Sequence, residues 1–167
     1  RIIFGDTLLE HFNHEEIETV LAHELGHHRL RHIGILILIN TVAAGLSCFL
    51  VDRAVHRWMG PLGLTRLDDL AILPLISLGF LLTELLFMPF TQGISRSLEK
   101  QADQFALEQT GNPPAFIATM RRLAEQNLAE MDPPLWVEWI LYDHPPIRKR
   151  IAMAQQLDKR GLTYRIA

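Results

Sequence analysis

A chain of 167 residues, 49% hydrophobic and 21% charged, is long enough for one domain with its own core, and its composition excludes a disordered polymer. A net charge of −3 offers no basic field to nucleic acid, and a single cysteine, Cys48, excludes both a disulfide framework and a cysteine-based zinc site. Eight histidines and a mean hydropathy of +0.12 point instead to metal and to membrane.

Arg1-Ile2-Ile3-Phe4 reads as a short β-strand entered midway, followed by a turn to residue 12. Opening with neither methionine nor leader, residues 1–167 read as a single catalytic-domain fragment of a longer protein. Residues 13–32 predict an amphipathic helix. Asn13 is its N-cap, Glu16 completes a capping box, and Ile17, Val20, Leu21, Glu24 and His28 follow the 3.6-residue period.

Residues 33–51 carry no charge, and as a helix they span roughly 28 Å, close to the thickness of a hydrocarbon core. No breaker separates them from the preceding helix, so one long helix is expected to emerge from the membrane. A polar loop over 52–69 contains Gly60-Pro61 and Gly63, and leads to a second apolar run, 70–90, interrupted by Pro74, Glu84 and Pro89. Cys48 reads as a small packing residue in the first span, and Glu84 has no assigned role.

A further helix over 94–110 is stopped by Gly111 and Pro113. The remainder, 111–167, reads as a helical region. Residues 114–130 are amphipathic, and 135–142 form an aromatic stretch suited to packing or to a membrane interface. His144-Pro145-Pro146 then introduces a last helix to about Lys159. The expected fold is mainly α, with a two-span transmembrane hairpin and a short N-terminal strand.

His23-Glu24-Leu25-Gly26-His27 is an HExxH pattern on the first helix. Histidines at i and i+4 share a face, so both imidazoles can reach one zinc ion, while Glu24 stands beside the metal as a general base. His28 and His32 lie roughly 140° and 180° round a straight helix from His23, and are expected at solvent or an interface. His11, His14 and His56 read as surface residues.

Glu99 is the third-ligand candidate. It shares a helix face with Asp103, which is placed to accept the free ring N–H of a ligand histidine. Ala102 and Ala106 are small enough to let another helix approach; the alternative is an ordinary charged face. Topology favours the ligand reading, because a two-span hairpin returns residue 99 to the side and depth of His27. His144, before two prolines, can be presented rigidly to an oxyanion, and Arg150 can add positive charge; a helix-start turn explains the same residues.

Four ordered segments resemble the type I CAAX prenyl protease family of integral-membrane zinc metalloproteases. They are Ile3 to Leu9, Val20 to His27 followed by His32, Ser95 to Ala106, and Tyr142 to Ile151. The resemblance implies zincin-like helices with His23, His27 and Glu99 as zinc ligands and Glu24 as base. It places Asp103 behind a ligand, and His144 and Arg150 at the substrate and transition state. It further implies membrane lipid as surroundings and a peptide or protein substrate, either a prenylated C-terminus or a membrane protein. The location would be a bacterial inner membrane or the endoplasmic reticulum; independently, Arg29, Arg31, Arg96 and Lys100 beside the spans, against Arg53, Arg57 and Arg66 in the connecting loop, favour a cytoplasmic site. The competing readings are a quality-control zinc protease of the related heat-shock type and a non-catalytic zinc-binding membrane module.

Overall fold

The computed structural model describes residues 5–64 and 66–159. Among these residues there are seven α-helices and no strand: α1 (Asp6–His11), α2 (His14–Arg29), α3 (His32–Trp58), α4 (Leu73–Thr110), α5 (Pro113–Gln126), α6 (Leu135–Leu141) and α7 (Ile147–Lys159). The strand expected over residues 1–4 lies outside the described residues. Immediately after it, where a turn is expected, the chain forms α1.

α2 begins as its sequence predicts. Asn13 Oδ1 accepts from the Glu16 N–H at 2.9 Å, and Glu16 Oε2 accepts from the Asn13 N–H at 2.9 Å, which satisfies two otherwise orphaned donors. Glu16 is buried, and its other oxygen accepts from Arg122 of α5 at 3.3 Å. The end of α2 departs from expectation. The chain does not run on as one helix: Arg31 takes a left-handed backbone conformation (φ 58°, ψ 32°), and α3 restarts at His32.

α3 and the first half of α4 form an antiparallel pair. Val51 stands against Gly79, and Leu38 shares a groove with Phe90 at the other end. A Cβ on Gly79 would lie 3.1 Å from Val51 Cγ2, so glycine permits this close contact. Both helices are long and apolar enough to cross a membrane, and few of their apolar residues are buried within the chain. Ile37 is 62% exposed, for example, and Leu38 65%.

α4 continues through Pro89 to Thr110, joining the second apolar run to the expected 94–110 helix without interruption. Near the proline, Thr91 Oγ1 donates back to the carbonyls of Phe87 and Met88 at 3.3 and 3.1 Å.

The second half of α4 packs against α2, and α5 and α7 cover them. The core here is Ala22, Ala106, Leu107, Phe116, Met120, Ile151 and Ala154. Gly26 and Ala102 meet where α2 crosses α4: a Cβ on Gly26 would lie 3.3 Å from Ala102 Cα. Small residues at this crossing let the two helices approach closely enough for their side chains to meet at one point.

Candidate metal centre

The α2–α4 crossing brings three donors together. His23 Nε2 and His27 Nε2 are 3.1 Å apart; Glu99 Oε2 is 3.3 Å from the first, and Glu99 Oε1 is 3.3 Å from the second. Four ligands at about 2.0–2.1 Å around a tetrahedral zinc would stand about 3.3 Å apart. Each histidine nitrogen thus stands at about that spacing from one Glu99 oxygen, with one atom from each residue lying within 4.8 Å of the others, and two nitrogens with one carboxylate are a donor set that zinc accepts. Glu99 is buried, with Oε2 facing Nε2 of His23 and Nε2 of His144, each at 3.3 Å.

The electrostatics point the same way. Burial works against a charged His23, yet hydrogen bonds to Asp103 and Glu99 outweigh it and push its pKa up to about 9. Burial likewise works to raise Glu99, but His23, with His144 and His27 nearby, holds the carboxyl below the usual range. The point between these groups favours positive charge. His27 lies below the ordinary imidazole value, chiefly through burial.

Behind His23, Asp103 Oδ1 lies 3.0 Å from Nδ1. Asp103 is fully buried in α4 and is gripped from the far side by Arg150 of α7, whose Nε donates to Oδ2 at 2.7 Å and whose second nitrogen reaches Oδ1. Burial alone would raise Asp103; the His23 and Arg150 bonds hold it below the usual carboxylate range. Arg150 is itself buried, and its guanidinium is engaged with Asp103.

In front of the three donors, His144 Nε2 stands 3.3 Å from Glu99 Oε2, and its Nδ1 is 2.8 Å from Asp143 Oδ1. His144 does not join His23, His27 and Glu99, whose donor atoms all lie within 4.8 Å of one another. Glu24 is exposed, and with His23, His144 and Arg150 it lines a cavity of about 240 Å³ whose far wall includes Phe116 and Met120.

Residues 1–158 match the model of peptidase family M48. The chain belongs to that family. It is 32% identical over 160 residues (93% of the chain, 38% of the relative) to an uncharacterized metalloprotease of Bacillus subtilis (strain 168), YhfN. It is 30% identical over 168 residues (96% and 38%) to the CAAX prenyl protease 1 homolog of Oryza sativa subsp. japonica. To the protease HtpX homolog of Methanopyrus kandleri it is 29% identical over 168 residues (90% and 50%). The chain thus spans about two-fifths to one-half of the length of these relatives. No solved structure matches it.

Two residues beside these donors are placed by the structure where helix projection and spacing do not put them, although His32 belongs to the segments that carry the resemblance. Asp143 pairs with His144, and nothing in the sequence beyond their adjacency signals it. His32 is fully buried with Nδ1 3.2 Å from His27 Nδ1, rather than at solvent or an interface. The left-handed turn at Arg31 overrides the straight-helix projection that sends it away.

Proposed function

We propose that this chain carries the catalytic centre of a membrane-embedded zinc metalloendopeptidase. The convergence of His23, His27 and Glu99 at tetrahedral spacing, with Glu24 beside them, carries the reading. A zinc ion held there would supply Lewis acidity toward a peptide carbonyl and toward water. Glu24 holds the attacking water and takes its proton as the new C–O bond forms. It then delivers that proton to the amine nitrogen as the C–N bond breaks. His144 has both ring nitrogens facing acidic side chains, so either can donate, and it hydrogen-bonds the oxyanion. Asp103 orients His23. Arg150 holds Asp103 and also lines the cavity with Glu24 and His144, where it can add positive charge toward substrate.

α3 and the first half of α4 cross the bilayer as a hairpin, with the metal centre just outside it on the cytoplasmic side. The substrate is a peptide or protein brought to the membrane. The resemblance to the type I CAAX proteases and the rice relative favour a prenylated C-terminus; the alternative is the quality-control reading, in which the substrate is a misfolded membrane protein.

One experiment separates these readings. The full-length protein and Glu24→Gln are given a CaaX peptide with and without its prenyl group. Prenyl-dependent, Glu24-dependent release of the last three residues is expected. Glu24-dependent cleavage indifferent to the lipid moves the assignment to a broader membrane protease. If Glu24→Gln retains near-normal turnover, Glu24 is not the base.

A further inference from the structure

We infer that His32 is a positioning residue for the metal centre: it accepts a hydrogen bond from His27 Nδ1–H, fixing the tautomer and rotation of that ligand. The inference rests on the metal reading above.

The two nitrogens of an imidazole point to opposite sides of the ring. Nε2 of His27 faces His23 and Glu99, and Nδ1 faces away, 3.2 Å from His32 Nδ1. One of these two Nδ1 atoms must carry the proton between them. A cation at the centre needs the lone pair of His27 Nε2, which places the His27 proton on Nδ1 and leaves His32 Nδ1 as acceptor. His23 has its counterpart in Asp103; among the described residues, His32 is the hydrogen-bonding side chain behind His27. The rings of His27 and His32 meet edge to face, with centroids 5.0 Å apart and planes at 85°. The acceptor is neutral, so it orients His27 without adding the negative charge that Asp103 brings to His23.

The backbone is arranged for this contact. On an uninterrupted helix His32 would stand about 140° round from His27 and could not reach it. The left-handed conformation at Arg31 closes that angle. A non-glycine residue in that conformation is strained, and the surrounding packing must offset it. His32 is fully buried at the start of α3; with Nδ1 as acceptor its own proton sits on Nε2.

The test uses the full-length protein in detergent, loaded with zinc against a competing chelator and, separately, with cobalt(II). His32→Leu is expected to raise the zinc Kd about 10–100-fold and to shift the cobalt d–d absorption bands. His32→Asn places an amide oxygen near the Nδ1 position and is expected to restore the Kd to within about threefold. A Leu variant with the wild-type Kd and cobalt spectrum overturns the role of His32 while leaving the metal site standing. A wild-type protein that binds no zinc overturns both. Should the Leu variant not fold, histidine ¹⁵N spectra of zinc-loaded wild type decide. A protonated Nδ1 paired with a bare Nδ1 of a second imidazole supports the role, and no such pair overturns it.

Discussion

The two ends of α4 live by different rules. Toward Thr110 its inward face is closed by α2 and α5: Ala102 and Ala106 are fully buried, and Glu99 and Asp103 are held by named partners. Toward Leu73 the same helix packs mainly on α3, and Leu81, Leu82, Leu85, Leu86 and Phe90 remain exposed. The metal-bearing end is a core that the chain completes for itself. The apolar end is an exposed surface on helices long and apolar enough to cross a membrane. Geometry at the site is therefore set by packing inside the chain, and most of the apolar hairpin surface is not covered by it.

Substitutions at the two ends should separate this contrast. The largest effect belongs to chemistry alone: Glu24→Gln should lower kcat by about 10²–10⁴-fold with zinc content and Tm unchanged, read by peptide turnover, metal analysis and calorimetry. Phe116→Ala, in the site-bearing core, should cost about 3–5 kcal/mol of stability in thermal or denaturant unfolding. Asp103→Asn should weaken zinc binding by about 10–100-fold through its loosened hold on His23, read by chelator competition.

The same pair of carboxylates sets an acid limit. Asp103 and Glu99 are held below the ordinary carboxylate range, so their contribution to stability is present above about pH 4 and is lost as pH falls through the depressed values. Asp103→Asn should flatten that limb in a Tm-versus-pH series. At the other end, Phe90→Ala, at a residue 67% exposed, should change stability in detergent by less than about 0.5 kcal/mol. A large loss there would mean that this surface is packed against protein.

What the sequence makes legible follows from how local each signal is. The cap at Asn13 and Glu16, the HExxH face and the i,i+4 pair Glu99 and Asp103 are read within one or two helical turns. The two apolar runs are read from length alone. Their convergence needs only the hairpin topology. What escapes is decided by backbone geometry that no residue type announces. A left-handed arginine at position 31 carries no glycine to mark it, and it moves His32 from the predicted outer face to a buried contact. Pro89 is the opposite case: a strong breaker by rule, it sits inside a helix that continues past it. Asp143 becomes meaningful only once His144 has a site to face.

The unbroken course of α4 has a mechanical meaning. It is a ruler and a lever at once. Glu99 stands nine residues beyond Phe90 on one rigid helix, a rise of roughly 13–14 Å. The two histidine donors ride on α2, which is jointed to the hairpin at Arg31. A rotation or tilt of the apolar half of α4 would therefore move the carboxylate, and the α2–α4 packing and the His23–Asp103 contact would carry it on to the imidazoles. One residue inserted between Phe90 and Glu99 would turn the carboxylate about 100° away from them, and would dismantle the centre without touching any of its donors.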